Sequence, residues 1–187
     1  MIATAFKSQI GEIRLALKNI KVLKNRQNVD SKQELLNMYK EGLKNDLIEK
    51  ADRCIRIIED YCLNVAALKG YIFFLKMQGD FYRYKADAIS SGDEKTEALE
   101  AADEKYSKAR AFDKLRIDYI INKNAEEDEN DKEQRYLIDD IRLGLCLNYA
   151  VFLYEVKNQK KEALRLLKGE IHDALDDYDK WDPEQMD

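Results

Sequence analysis

The chain has 187 residues, of which 45% are hydrophobic and 37% are charged, and its formal net charge is -5 at pH 7. This length and apolar content can fill the core of one domain spanning residues 1–187, whereas the acidic balance argues against nucleic-acid binding, which normally needs a basic surplus. Because the chain has one proline and seven glycines, it holds few of the residues that separate strands and hairpins, and we expect an all-α protein.

Apolar periodicity predicts six helices, of which the first covers residues 2–24 and the second continues to about residue 62. The first helix is amphipathic, with Lys7, Arg14 and Lys18 one above another on the side opposite its apolar residues. Those apolar residues lie within an arc of about 80° and are Phe6, Ile10, Ile13, Leu17 and Ile20.

The third helix contains FLKMQGDFYRYKAD, residues 74–87, and ends near Gly92. Its charged residues Lys76, Asp80, Arg83 and Asp87 follow steps of four, three and four, so they share one narrow face between apolar and aromatic neighbours. The two aspartates are spaced to hold the Arg83 guanidinium in place, and such a stripe either braces neighbouring helices or lines a polar groove.

The remaining helices are predicted at about residues 94–122, 138–157 and 159–179, with an acidic loop at about 125–134. In RLGLCLNYAVFLYEV, residues 142–156, apolar residues cover nearly the whole circumference, which predicts a buried helix. Asn148 and Glu155 are its polar exceptions and share a face with Leu147 and Val151. A buried amide and carboxylate need partners, because leaving them unpaired costs free energy.

Several classes of function are disfavoured. No apolar run approaches the roughly 20 residues of a membrane span, and the start of the chain does not resemble a secretory signal. The three cysteines lack CxxC spacing, so neither a disulfide framework nor a metal site is expected. No hydrolase motif or glycine-rich phosphate loop occurs, and His172 is the only histidine. We therefore expect no enzyme activity and no cofactor.

Polar stripes on the first, third and fifth helices would enclose a groove if they converge. Arg14 and Arg83, with Lys7 and the Tyr84 hydroxyl, have the chemistry of a phosphate site, because guanidinium groups bind phosphate oxygens in bidentate fashion. The alternative is that the stripes are solvated faces or salt bridges between helices.

Three segments together resemble the 14-3-3 family: AFKSQIGEIR at residues 5–14, FFLKMQGDFYRYKAD at residues 73–87 and IRLGLCLNYAVFLYEV at residues 141–156. Their order and separation are also similar to those of family members. The resemblance implies an antiparallel bundle or array of about six helices with an amphipathic concave groove. It further implies a non-enzymatic adaptor that binds phosphoserine or phosphothreonine motifs of client proteins, and not nucleic acid or membranes, in the cytoplasm or nucleus.

By position in these segments, the resemblance assigns a role to each candidate residue. The phosphate-binding residues are Lys7, Arg14, Arg83 and Tyr84, with Asp80 and Asp87 supporting them. The peptide-binding residues are Lys76, Leu147, Asn148, Val151 and Glu155.

The chain departs from the family pattern at both ends, where the first two helices and the last helix have no counterpart in the sequence. Since the first two helices form the family's homodimer interface, a homodimer, a monomer and a different dimer all remain open. The alternative function is a structural helical scaffold, TPR-like or a degenerate family member, in which Asp80 and Asp87 fully pair Arg14 and Arg83.

Overall fold

The structure, a computed structural model, describes residues 2–24, 32–126 and 139–178. Six α-helices follow one another in these ranges, which contain no strand, and the all-α prediction is confirmed. Two short π-helical segments, Ile58–Cys62 and Phe152–Val156, directly continue the second and fifth helices. The helices are α1 Ile2–Lys24, α2 Gln33–Ile57, α3 Leu68–Ala88, α4 Asp93–Glu126, α5 Asp140–Val151 and α6 Lys160–Tyr178. None of these described helices is both long and apolar enough to cross a bilayer.

Helix α4 extends beyond its predicted end at residue 122 and includes the described residues as far as Glu126. Ala125 and Glu126 therefore belong to this helix and not to the predicted acidic loop. Alanine and glutamate are good helix formers, so they continue the helix once it has begun. The rest of that loop, residues 127–134, lies outside the described residues.

The chain forms two compact units, each with its own internal contacts. The first unit comprises Met1–Asn64 and Gln78–Asp103, and the second comprises Val65–Met77 and Glu104–Asp187. The sequence predicts one domain over residues 1–187, and this stays a prediction.

The core of the first unit forms where α1 packs against α2. Ile10, Ile13 and Ile20 from α1 are buried, and so are Leu47 and Ala51 from α2. Their spacing of three, four or seven residues keeps each set on one helix face, as the periodicity of α1 predicts. Each fully buried aliphatic side chain contributes about 1.5–3 kcal/mol relative to an exposed one.

The turn between α3 and α4 depends on Gly92, whose φ is 104°. A positive φ of this size is unfavourable for residues that carry a Cβ atom, which explains glycine at this position. The Gly92 carbonyl then accepts a hydrogen bond from the Thr96 backbone N–H at 3.3 Å. The stop and restart predicted near this glycine are therefore present in the fold.

The second unit is held together by an aromatic cluster and an aliphatic one. The Tyr106 ring is fully buried and lies 5.4 Å from Tyr149 and 5.6 Å from Phe152, measured between ring centroids. The aliphatic cluster joins α5 and its π-helical continuation to α6 and contains Cys146, Ala150, Leu153, Ala163 and Leu166. These contacts fix α5 against α6.

Cysteine reactivity follows from the positions of the three thiols, all of which are free. Burial raises the pKa of Cys54 to about 12 and that of Cys146 to about 11, whereas Cys62 is only half-buried. Since the thiolate is the reactive species, we expect a disulfide reagent such as DTNB at pH 8 to modify Cys62 rapidly in the folded protein and the other two thiols slowly. A Cys62→Ser variant should lose the rapid reaction. Rapid modification of two or more thiols in the folded protein would contradict this expectation.

Candidate functional site

In the first unit, two of the residues predicted to bind phosphate, Arg14 and Arg83, lie beside the ring of a third, Tyr84. The Cζ atom of Arg14, from α1, lies 4.0 Å from the ring centroid, and that of Arg83, the preceding residue on α3, lies 5.1 Å from it. Both distances are within the range of cation–π contacts. Two guanidinium groups from different helices are thus held beside one phenol.

The Tyr84 hydroxyl keeps its proton in this setting. Burial raises the pKa of Tyr84, and the Asp80 carboxylate raises it further, while Arg83 and Arg14 act in the opposite direction. The net result is a pKa above the usual value of about 10. The phenol is therefore a neutral hydrogen-bond donor at physiological pH.

Arg14, Arg83 and Tyr84 form what we call the cationic cluster, and Asp87 lies at its exposed edge. One of its oxygens lies 4.0 Å from Nη2 of Arg14, and the two side chains are 53% and 41% exposed, respectively. Strong charge-assisted hydrogen bonds span about 2.7–2.9 Å, so this ion pair is loose and accessible to water. The predicted support of the Arg83 guanidinium by Asp87 stays a prediction.

Two further predicted residues belong to the first unit. Lys7 is half-buried on α1, seven residues before Arg14 and thus about 10 Å along the same helix side. Asp80 is 1% exposed, one turn before Tyr84, and influences the phenol as described above. Its support of the Arg83 guanidinium stays a prediction, as does a contact between Lys7 and phosphate.

The predicted peptide-binding residues all belong to the second unit. Lys76 is buried on α3, and Asn148 and Val151 are half-buried on α5, next to the exposed Leu147. Glu155 is exposed, so its predicted burial is wrong. It lies in the π-helical segment Phe152–Val156, whose wider turns rotate it away from the position that α-helical spacing gives.

The prediction of a buried fifth helix is also wrong in part. Leu143 and Leu147 are 45% and 55% exposed and line a cavity of about 450 Å³ between α5 and α6. Other apolar side chains of this cavity are Leu167, Ile171 and Leu175. The apolar side chains of α5 cover most of its circumference because one side of the helix packs against the unit's core and another side faces this cavity.

A buried cluster of charges in the second unit is absent from the sequence predictions. Nε of Arg142 lies 2.6 Å from a Glu170 oxygen, and its Nη2 lies 2.6 Å from an Asp173 oxygen. Nε and Nη2 of Arg116 both donate to one oxygen of Asp113, at 3.0 and 2.8 Å. Asp113 on α4 also lies 3.8 Å from Nε of Arg142, so the cluster connects α4, α5 and α6. The partners of Arg142 lie about thirty residues away in sequence, so they leave no periodic signal within one helix.

Comparison with known proteins shows that nearly the whole chain is similar to members of one family. A family model described as 14-3-3 protein matches residues 1–120 and 121–187. The 14-3-3-like protein 2 of Caenorhabditis elegans is 28% identical over 181 residues, which cover 96% of this chain and 65% of that protein. Human 14-3-3 protein eta is 28% identical over 185 residues, which cover 96% of this chain and 68% of the relative. The chain thus spans about two thirds of the length of these relatives.

Proposed function

The chain belongs to the 14-3-3 family, and from this premise we propose that it is an adaptor that binds phosphoserine or phosphothreonine segments of client proteins. The observation that carries the proposal is the meeting of Arg14 and Arg83 at the Tyr84 ring, at 4.0 and 5.1 Å. Both guanidinium groups remain charged at any physiological pH. A phosphate with a charge of about -1.5 to -2 is a suitable anion for such a cluster.

In the proposed complex, the two guanidinium groups donate to phosphate oxygens and the Tyr84 hydroxyl adds a neutral hydrogen bond. The loose 4.0 Å contact between Arg14 and Asp87 costs little to replace, because exposed ion pairs of this kind contribute only about 0–1 kcal/mol. Each charge-assisted bond to phosphate contributes about 1.5–3 kcal/mol. The exchange therefore favours phosphate over the Asp87 carboxylate.

The contrast with the buried charge cluster of the second unit argues against the scaffold alternative. The Arg142 and Glu170 side chains are 10% and 11% exposed and 2.6 Å apart, as expected of charges that brace helices. The Arg14 side chain is 41% exposed and 4.0 Å from its carboxylate partner. Bracing does not require such a loose, solvated pair, whereas an accessible anion site does.

The roles of Lys76, Leu147, Asn148, Val151 and Glu155 in holding the client backbone and its apolar residues stay predictions. So do the oligomeric state and the cytoplasmic or nuclear location. Binding of client proteins by the second unit can be examined separately through Asn148→Ala, because Asn148 belongs to the second unit, whereas Arg14, Arg83 and Tyr84 belong to the first.

The dependence of phosphopeptide affinity on pH tests the proposal. A phosphoserine loses its second proton near pH 6, and the dianion interacts more strongly with two guanidinium groups. Affinity should therefore rise on the order of tenfold from pH 5 to pH 7.5 and stay level to pH 9, because the raised pKa of Tyr84 keeps its hydroxyl protonated. Fluorescence anisotropy with a labelled phosphoserine peptide measures this.

Two controls accompany the pH series. The matching serine peptide should show neither comparable affinity nor the rise, since it carries no group that titrates near pH 6. Tyr84→Phe should weaken phosphopeptide binding by about three- to tenfold by removing one donor, without changing the shape of the profile. A flat profile for the phosphopeptide would contradict phosphate recognition.

A further inference from the structure

The first unit also has a cavity, and it lies beside the cationic cluster. Its volume is about 320 Å³, it is open to solvent, and residues of α1, α2 and the end of α3 line it. Leu17, Leu47 and Ala88 supply its apolar lining. Leu47 and Ala88 are 1% and 4% exposed, so they form a fixed floor that belongs to the core of the unit.

The rim of this cavity is cationic. Arg14, Lys18 and Lys21 line it together with a single carboxylate, that of Asp87. Both lysines are exposed, and neither forms an ion pair with another residue in the described part of the chain. In a protein with a net charge of -5, such a local positive excess indicates a site for an anion.

Arg14 joins this cavity to the cationic cluster, because its guanidinium also lies 4.0 Å from the Tyr84 ring. Along α1, Lys18 and Lys21 follow Arg14 by about 6 and 10 Å, given a helical rise of 1.5 Å per residue. An extended peptide covers the same distance in about two or three residues. One client segment can therefore reach both places.

We propose that the Lys18–Lys21 cavity is a second anion subsite, which takes a glutamate, aspartate or second phosphorylated side chain located two or three residues from the phosphorylated residue of the client. The inference rests on the proposed function and specifies the substrate class. The lysines supply the charge, and the aliphatic floor accepts the methylene groups of the acidic side chain. Because this floor excludes water from one side, the charges interact more strongly than on an open surface.

Peptide pools with a fixed central phosphoserine test the subsite. A second fixed position, two or three residues before or after the phosphoserine, holds either glutamate or its neutral isostere glutamine. For the wild-type chain we expect glutamate to increase affinity about three- to tenfold in at least one of these four placements. A second phosphoserine there should increase it more, because it brings more charge.

The variant Lys18→Gln/Lys21→Gln should abolish the preference for glutamate while still binding the glutamine pool. Both side chains are exposed, so the substitution leaves the core intact. A matched control is Lys168→Gln, which removes an exposed lysine of the second unit and should leave the preference unchanged.

Two results would overturn the subsite. One is equal affinity for the glutamate and glutamine pools in all four placements, and the other is a glutamate preference that survives in Lys18→Gln/Lys21→Gln. Comparison of the glutamine pool with its unphosphorylated counterpart tests the proposed function separately. If those two bind equally, phosphate recognition itself fails and the subsite is overturned with it.

Discussion

Arg14→Ala and Arg83→Ala are each expected to weaken phosphopeptide binding by on the order of a hundredfold or more. Each substitution removes a bidentate, charge-assisted contact in which every hydrogen bond contributes about 1.5–3 kcal/mol, and 1.4 kcal/mol corresponds to a factor of ten. The two guanidinium groups come from different helices and lie at the same phenol ring, so we expect each to donate to its own phosphate oxygens. Fluorescence anisotropy with a labelled phosphoserine peptide measures the loss.

Three comparisons separate loss of the site from loss of the fold. Far-UV circular dichroism should be unchanged, since Arg14 is exposed and its ion pair with Asp87 is loose. Arg53→Ala removes an exposed arginine of α2 in the same unit and should leave affinity unaltered. Arg83→Lys keeps the charge but loses the planar fork, and should cost about tenfold. Affinity retained in both alanine variants would refute the assigned site.

Arg142→Ala is expected to destabilise the second unit by about 3–5 kcal/mol. The Arg142 side chain is 10% exposed, and its guanidinium lies 2.6 Å from oxygens of both Glu170 and Asp173. Asp113 lies 3.8 Å away. Removing the cation takes the close partner from Glu170, which is 11% exposed and otherwise keeps only a contact at 3.8 Å with Arg110, so most of the cost falls on this carboxylate. Urea unfolding followed by circular dichroism measures the difference.

Arg165→Ala is the matched control for this stability experiment. Arg165 also pairs with a glutamate, Glu162, at 2.7 Å, but the two side chains are 79% and 48% exposed. We expect no measurable change in the free energy of unfolding, because solvent screens such exposed pairs. Equal losses in Arg165→Ala and Arg142→Ala would contradict the view that burial makes the Arg142 cluster structural.

The helices of this protein are largely predictable because their apolar residues recur every three or four positions. The spacing of Ile10, Ile13 and Ile20 places them on one side of α1, and all three are buried in the unit's core. Gly92, at positive φ, marks the turn before α4 as expected. The continuation of α4 from residue 122 to Glu126 is not predictable from periodicity, since the residues KNAE at 123–126 do not extend its apolar pattern.

The predictions fail where the structure depends on contacts between helices. Arg142 opens a segment that appears uniformly apolar, yet its partners Glu170 and Asp173 follow about thirty residues later, on α6. Glu155 is exposed because a π-helical segment interrupts the α-helical spacing, and local sequence gives no clear sign of such a segment.

In the candidate site too, the sequence predicts the chemistry of single residues but not the contacts between helices. That Arg14 and Tyr84 have complementary chemistry is visible in the sequence, and their approach to 4.0 Å agrees with the predicted convergence of α1 and α3. The pairing of Asp87 with Arg14 and the part of Lys21 in a cavity both require the packing of separate helices. Single-helix periodicity cannot supply either contact.

The most direct test of the central claim compares two labelled peptide pools that are identical except for a central phosphoserine or serine. Randomised flanking residues make the test independent of any sequence preference. At low salt, we expect the phosphoserine pool to bind at least tenfold more tightly than the serine pool. Raising the salt concentration should reduce this difference in affinity, because ions screen the phosphate charge. Equal affinity of the two pools at both salt concentrations would contradict phosphate recognition and favour a structural scaffold.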